Sequence, residues 1–165
     1  MKQMGKHRFA ELIIENRQSF YRIAYSYTKN EQDALDIVSE ATYKALLHIR
    51  DLREPAYFKT WMIRIIINTA LEIRKKNSRQ AAMEDYMLTD SAFSTVEPEI
   101  NFDLYTALDA LTAEERTFII LKYFEEYSFR EISTLLNQPE STIKSKTYRC
   151  LEKMRLYMEG GARTC

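Results

Sequence analysis

Residues 128–154 read SFREISTLLNQPESTIKSKTYRCLEKM, and they define the architecture of the second half of the chain. Ser128, with Glu131 three residues later, forms a capping-box pattern that marks the start of a helix. Residues 137–140 predict a four-residue turn, and a further helix follows from Ser141. A capped helix, a short turn and a second helix are together typical of a helix-turn-helix motif.

The second helix of this motif separates its residues into an inner and an outer face. At helical spacing the inner face carries Ile143, Thr147, Cys150, Leu151 and Met154. The outer face, which we call the basic stripe, carries Thr142, Ser145, Lys146, Arg149 and Lys153. Cations displace counterions from phosphates, and an arginine or a hydroxyl can read a base edge. The pattern therefore predicts a helix that enters the major groove of DNA, although a merely soluble basic helix has the same pattern.

The composition indicates an all-α fold. The chain has 165 residues and 45% hydrophobic content, which is enough for one domain or two small ones. It contains only three glycines and three prolines and shows no sustained alternation of apolar and polar residues, which argues against sheets. Thr112 with Glu115 marks one more capped helix start upstream of Ser128.

No pattern of catalytic, metal-binding or cofactor-binding residues is present. The two cysteines, Cys150 and Cys165, do not lie in a metal-type or redox-type spacing, and Cys150 is predicted to be a packed, inert thiol. A glycine-rich phosphate loop is absent, and His7 and His48 are far apart in the sequence, so an enzyme is the least favoured class. Without an uninterrupted apolar stretch, we predict a cytoplasmic protein with no membrane insertion.

Charge is distributed unevenly along the chain, although 24 basic and 24 acidic residues cancel overall. Residues 1–79 carry 15 Lys and Arg against 9 Asp and Glu, whereas residues 80–103 carry none against 6. The latter segment also lacks helical periodicity and contains Pro98. We therefore predict two small helical domains, residues 1–79 and 104–165, joined by an acidic flexible linker at residues 80–103. A surface loop within a single domain is the alternative interpretation.

Residues 59–76, KTWMIRIIINTALEIRKK, predict an amphipathic helix in the first domain. One face is apolar and carries Met62, Ile63, Ile66, Ala70 and Ile73. The opposite face, which we call the tryptophan stripe, carries Trp61, Arg64, Asn68 and Lys75. A tryptophan beside cations and an amide is unusual on a solvated face, and the alternative is that Trp61 packs under the first helix.

Two further helices are predicted before this one. Residues 9–30 read as one continuous helix, and Asn30 then caps a second. The second helix turns Ala34, Ile37, Val38, Ala41 and Ala45 inward. It leaves Asp33, Asp36 and Glu40 outside, where acidic residues near a helix start suit the helix dipole without any further function.

These segments together resemble the bacterial extracytoplasmic-function sigma factors, small two-domain subunits that direct RNA polymerase to promoters. Residues 111–155 resemble their carboxy-terminal promoter-reading domain, sigma region 4. Residues 33–46, DALDIVSEATYKAL, resemble their polymerase-binding helix in region 2. Residues 58–76 resemble the helix that engages the minus-10 element. The resemblance covers nearly everything except the linker and the two tails.

The resemblance implies three binding surfaces and no cofactor. A polymerase-binding surface for the clamp of the largest subunit of core RNA polymerase would consist of Asp33, Asp36 and Glu40. A surface for melted, single-stranded minus-10 DNA would consist of Trp61, Arg64, Asn68 and Lys75, with Arg50 and Arg53 in the base-accepting loop at residues 48–55. A surface for duplex minus-35 DNA would consist of Ser141, Thr142, Lys144, Ser145, Lys146, Arg149 and Lys153. The family also implies an anti-sigma factor as a partner.

The chain departs from the family pattern at a few positions. Ser39 stands where the family usually has glutamine, Ser141 where it has glycine, and Lys146 where it has arginine. Lysine is a point donor and weakens any bidentate contact, so the promoter sequence preference is the property most affected. The alternative function is a conventional helix-turn-helix regulator with an amino-terminal sensing or dimerisation domain.

Overall fold

The computed structural model describes the fold of residues 3–83 and 106–162, and every regular element in those ranges is a helix. The all-α prediction is therefore confirmed. The chain divides into two compact units, residues 1–93 and 94–165. This division falls inside the predicted acidic linker, whose residues 84–103 lie outside the described ranges.

The first unit is a helical bundle. Its helices are α1 (Lys6–Glu15), α2 (Arg17–Thr28), α3 (Glu31–Leu47) and α4 (Phe58–Met83), with short 3-10 turns at Ile49–Asp51 and Pro55–Tyr57. Helices α2, α3 and α4 pack on one another. Phe58 lies at the centre, where its ring centroid is 5.6 Å from that of Phe9 and 6.4 Å from that of Phe20. This packing leaves the outer faces of α3 and α4 to solvent.

The prediction of one continuous helix over residues 9–30 is wrong, because the helix breaks at Asn16. The Asn16 side-chain amide donates a hydrogen bond to the Leu12 carbonyl at 2.9 Å. Asparagine competes for backbone groups in this way, so it satisfies the end of α1 and lets a new helix start at Arg17.

Helix α3 begins where the sequence predicts. The Asn30 side chain accepts a hydrogen bond from the Asp33 backbone N–H at 2.9 Å. Of the five residues predicted to point inward, Ala34, Ile37, Ala41 and Ala45 are buried and Val38 is half-buried. Helix α4 runs to Met83, four residues past the predicted end of the first domain. Residues 80–83, QAAM, are good helix formers, which explains the extension.

The second unit contains the predicted helix-turn-helix. Helix α5 (Ala113–Ile119) continues as a π-helical segment (Ile120–Phe124), and α6 (Phe129–Leu136) and α7 (Glu140–Ala162) follow. Both α5 and α6 pack on α7. Both predicted capping boxes are confirmed: Thr112 pairs reciprocally with Glu115, and Ser128 with Glu131. Each of these two helix starts is thus fixed by a pair of residues only three positions apart.

Two details of the helix-turn-helix differ from the prediction. Helix α7 begins at Glu140, so the turn is one residue shorter than predicted and spans residues 137–139. Asn137 ends α6 in the left-handed conformation, with φ 53° and ψ 47°, which asparagine tolerates better than most residues. Leu151 was assigned to the inner face but is 36% exposed. It lies at the margin of the face that α5 and α6 cover.

Arg116 is a buried charge in the second unit, and only 2% of the residue is exposed. Its Nε donates to the Leu108 carbonyl at 2.8 Å, and one terminal nitrogen lies 2.7 Å from an Asp109 carboxylate oxygen. These bonds offset part of the cost of burying the guanidinium and tie the chain that precedes α5 to the α5 helix.

Candidate nucleic-acid interface

The tryptophan stripe of α4 borders an open pocket of about 420 Å³, which we call the base pocket. Its lining consists of Lys44, His48, Asp51, Trp61, Ile65, Asn68, Thr69 and Glu72. The Trp61 indole is half-buried, and its ring centroid lies 6.2 Å from that of Phe58 at an interplanar angle of 49°. The core therefore anchors the indole, while the pocket side remains accessible. Trp61 is neither fully solvated nor sealed under the first helix.

Polar groups surround Trp61 in the base pocket. His48 Nδ1 lies 3.1 Å from Asp51 Oδ2, and both residues come from the segment that joins α3 to α4. On another wall, Lys44 Nζ on α3 lies 2.7 Å from Glu72 Oε2 on α4. Asn68 is exposed beside these groups. Such a concave site with an aromatic ring and convergent donors and acceptors suits a planar, polar ligand.

Thr69 is a residue of the base pocket that sequence reasoning missed. The residue is only 1% exposed, and its Oγ1 finds no hydrogen-bond partner within the part of the chain that the structure describes. Its helical spacing from Trp61 is intermediate between the tryptophan stripe and the apolar face, which is why neither pattern identified it. Lys44 and Glu72 were also missed, although Glu72 follows Asn68 by one helical turn on the same face.

The cations predicted for the minus-10 surface do not line the base pocket. Arg64 and Lys75 are exposed on α4, and Arg50 and Arg53 are exposed in the segment between α3 and α4. None of the four belongs to the pocket lining. The structure thus brings Trp61 and Asn68 together in one site, whereas these four predicted cations are not part of it. Such cations could follow a phosphate backbone while a base enters the pocket.

The acids of α3 form an exposed surface, as the helical spacing predicts. Asp33, Asp36 and Glu40 are all exposed, and Asp36 accepts a hydrogen bond from Gln32 at 3.0 Å. Tyr43 and Leu47 continue the same side of α3 at helical spacing and are 64% and 63% exposed. This side of α3 therefore presents acidic and apolar side chains together to solvent.

The basic stripe of α7 is presented outward. Ser141, Lys144, Ser145, Arg149 and Lys153 are exposed, and Thr142 and Lys146 are half-buried. The Arg149 side chain has no hydrogen bond or ion pair with any residue of the described ranges. Lys144 pairs with Glu140 at 3.4 Å and lies 5.9 Å from the centre of the Phe129 ring. Lys144 thus turns toward the start of α6, away from the stripe.

Two lysines of the basic stripe are paired with acids of α5. Lys146 Nζ lies 3.5 Å from Glu114 Oε1 and 3.3 Å from Gln138 Oε1. Lys153 Nζ contacts the Glu115 carboxylate. Burial opposes ionisation of Glu115, but hydrogen bonds from Lys153 and Thr112 outweigh it, so the pKa of Glu115 is lowered. The stripe is therefore less positive than its sequence suggests.

Cys150 is packed behind the basic stripe, as predicted. The thiol is buried, and its burial raises the pKa of Cys150 to about 11. A thiol with this pKa is almost entirely protonated at neutral pH and is a poor nucleophile. The prediction of an inert thiol at this position is therefore consistent with the structure.

Across the described ranges, no cluster of three or more His, Cys, Asp or Glu side chains is arranged to hold a metal ion. Within those ranges, no helix combines the length and the apolar content that a membrane crossing requires.

Two family models match the chain in tandem. The model described as Sigma-70 region 2 matches residues 12–80, and the model described as Sigma-70, region 4 matches residues 101–154. The first match contains the α3 acids and the tryptophan stripe, and the second contains the basic stripe. Each of the two units thus matches one sigma region.

Individual relatives align over nearly the whole chain. RNA polymerase sigma factor SigV of Bacillus subtilis (strain 168) is 34% identical over 157 residues, which cover 95% of each protein. ECF RNA polymerase sigma factor SigW of the same organism is 27% identical and covers 94% of this chain and 91% of its own.

Solved structures show the same fold. The sigma factor RpoE of Bartonella quintana, solved in complex with the anti-sigma factor NepR, superposes with a TM-score of 0.80 at 20% identity. That superposition covers 92% of this chain and 96% of the other. CnrH, solved in complex with the cytosolic domain of CnrY, superposes with a TM-score of 0.65 at 18% identity, covering 94% and 90% of the two chains.

Proposed function

We propose a molecular function from one premise: this chain belongs to the sigma-70 family of RNA polymerase sigma factors, in its extracytoplasmic-function group. It is an alternative sigma factor that directs RNA polymerase to promoters. The tandem match to regions 2 and 4 carries this conclusion. A conventional helix-turn-helix regulator is not favoured, because residues 12–80 match sigma region 2 rather than a sensing or dimerisation domain.

Region 2, proposed as residues 1–79, would bind the clamp of the largest polymerase subunit through α3. Asp33, Asp36 and Glu40 supply negative charge, which steers association with a basic partner. Tyr43 and Leu47 supply apolar area beside them, which gives the contact its buried part. This surface is on a different helix from the tryptophan stripe, so polymerase and melted DNA can be bound together.

The base pocket would hold an unpaired base of the minus-10 element. Trp61 is anchored on Phe58 and reachable from the pocket, so it can stack on a base that has left the duplex. Such stacking contributes roughly 1 to 3 kcal/mol per base. Asn68 can donate to and accept from a base edge, and Arg64 and Lys75 would hold the flanking phosphates. The half-exposed Trp61 in an open pocket is the observation that supports a role in melting.

Region 4, proposed as residues 104–165, would read the minus-35 element as duplex DNA. Helix α7 presents Ser141, Ser145 and Arg149 to solvent at its exposed face. The capped α6 helix and the three-residue turn are the usual support for a helix in the major groove. Residues 80–103 would act as an acidic connection between the two DNA-binding units.

Two weak DNA contacts become specific when polymerase fixes their spacing, since neither unit alone buries much surface. The protein would thus act without catalytic chemistry of its own, in the cytoplasm with RNA polymerase. An anti-sigma factor is a further proposed partner. RpoE, a sigma factor with the same fold that was solved with the anti-sigma factor NepR bound, supports this proposal.

Run-off transcription with core polymerase on genomic fragments tests the proposal. We expect defined transcripts that depend on the added protein and on both promoter elements. The Asp33→Lys/Asp36→Lys variant should lose transcription together with core binding. Tight and sequence-specific promoter binding by the protein alone in moderate salt would contradict the dependence on polymerase.

A further inference from the structure

The first turn of α5 lies beside the basic stripe of α7. Glu114 reaches Lys146, and Glu115 reaches Lys153, so adjacent acids engage cations two helical turns apart. Each acid also has a second contact that holds it in place. Glu114 Oε1 accepts from Gln138 Nε2 at 3.4 Å, and Glu115 Oε2 accepts from the Thr112 backbone N–H at 2.9 Å. The pairing is therefore part of the fold of this unit rather than an isolated surface contact.

The pairing divides the cations of the basic stripe into two kinds. Lys146 and Lys153 each face a carboxylate, whereas Arg149 lies between them with no ion pair in the described ranges. A carboxylate beside a lysine cancels its attraction for phosphate and itself repels the DNA backbone. Arg149 keeps its full charge and its planar donor group for a base edge.

We propose that Glu114 and Glu115 are positioning residues that limit the affinity of α7 for duplex DNA. They hold two lysines of the basic stripe in neutral pairs, so phosphate attraction is weak while base reading by Arg149 is retained. This inference rests on the proposed reading of the minus-35 element by α7. Its consequence is that duplex binding by the free protein stays weak, and polymerase must supply the remaining affinity.

The test uses the full-length protein with Glu114→Gln and Glu115→Gln, singly and together. Glutamine at position 115 still completes a capping box, so the α5 start is preserved. Glutamine at position 114 keeps an acceptor for Gln138. The matched control is Glu152→Gln, which also removes one negative charge, but from an acid of α7 that pairs with Arg155. Arg155 lies outside the basic stripe and keeps its ion pair with Glu159 in this variant. Thermal unfolding of each variant verifies that the unit is intact.

Binding to fluorescently labelled minus-35 and unrelated duplexes is measured by anisotropy from about 50 to 200 mM salt. We expect each substitution at 114 or 115 to tighten binding to both duplexes about two- to fivefold. The plot of log K against log salt should steepen by up to about 0.9 for each acid removed. The loss caused by Arg149→Ala should be the same in the double variant as in the wild type.

Two outcomes overturn the inference: equal effects of Glu114→Gln, Glu115→Gln and the control, or no change in the salt slope. Transcription with core polymerase separates this failure from failure of the proposed function. If wild-type holoenzyme ignores the minus-35 sequence, the role of α7 itself is wrong, and the inference fails with it. If the holoenzyme reads that sequence and the variants match the control, only the role of the two acids is wrong.

Discussion

Trp61 and Asn68 lie two turns apart on α4 and line the same open pocket. An aromatic ring and a side-chain amide at one site provide both stacking and edge contacts for a single base. The half-buried indole is anchored on Phe58, so its orientation is fixed before DNA arrives. Pre-organisation of this kind lowers the entropy lost on binding.

Trp61→Ala should impair promoter opening more than closed-complex binding, because stacking is available only to an unpaired base. The expected loss is roughly 1 to 3 kcal/mol in the opening equilibrium. Permanganate reactivity of unpaired thymines measures opening, and gel shifts on duplex promoter measure the closed complex. Tyr57→Ala is the matched control, since Tyr57 is 66% exposed and outside the pocket lining. Equal loss of both steps would contradict this division of roles.

Arg149→Ala should weaken minus-35 recognition by about 1 to 3 kcal/mol, because the exposed guanidinium, which pairs with no side chain in the described ranges, can contact a base edge. Holoenzyme binding to promoters with single substitutions in the minus-35 element measures the loss and its position. Arg155→Ala on the same helix is the control, since Arg155 is already paired with Glu159 at 2.8 Å. If Arg155→Ala has the same effect, Arg149 acts only through general charge.

Asp33→Lys should weaken binding to core polymerase about tenfold and most strongly at low salt. Glu31→Lys is the matched control, because Glu31 is also in the first acidic turn of α3 but on another side of the helix. Both variants lose the same favourable interaction with the helix dipole, so helix stability is comparable. Competition for core enzyme against a second sigma factor measures the affinity. Indistinguishable variants would rule out a specific docking role for Asp33.

Thr69→Val should raise the free energy of unfolding by about 1 kcal/mol, because it removes a buried hydroxyl that has no hydrogen-bond partner among the described residues. Urea unfolding of the full chain measures this change. Thr60→Val is the control on the same helix, where the side chain is exposed and the expected change is within about 0.5 kcal/mol. If Thr69→Val is less stable than the wild type, the Thr69 hydroxyl has a hydrogen-bond partner in the dissolved protein.

The second unit should lose stability in acid through its two capping boxes. Hydrogen bonds from Ser128 lower the pKa of Glu131 below its usual 4.5. The pKa of Glu115 is lowered as well: burial opposes ionisation, but hydrogen bonds from Lys153 and Thr112 outweigh it. For a lowered folded-state pKa, the stabilisation is complete above the unfolded-state pKa and disappears as pH falls through the folded-state value. Thermal unfolding below pH 5 should therefore depend less on pH in Glu115→Gln/Glu131→Gln than in the wild type.

Much of this fold follows from short-range patterns. The caps at Thr112 and Ser128 lie within four residues of their partners, and helical spacing places the buried and exposed faces of α3 and α4. The break at Asn16 was not predictable in the same way, because apolar spacing continues across it. There a single side-chain hydrogen bond to Leu12 outweighs the periodic signal.

The sequence predicts which helix face carries each candidate site, but not which residues of other helices contact it. The position of Arg149 on an exposed face follows from the period of a helix, whereas Trp61, placed opposite the apolar face by the same period, is half-buried against Phe58. The pairing of Glu114 with Lys146 joins residues 32 positions apart and depends on how α5 packs on α7. The burial of Arg116 against the Leu108 carbonyl is likewise a tertiary effect, since a charged residue in an amphipathic helix reads as exposed.

Alkylation of Cys150 can report the unfolding of the second unit, because its thiol is protonated and enclosed in the folded state. In the folded state a thiol-alkylating reagent cannot reach the sulfur, because Cys150 is buried. The sulfur is also not a thiolate, because burial raises the pKa of Cys150 to about 11. Once the helices around it separate, the sulfur regains ordinary reactivity. In a protein that carries Cys165→Ser, alkylation rates would therefore time the opening of this unit alone, in a mixture that also holds polymerase and DNA.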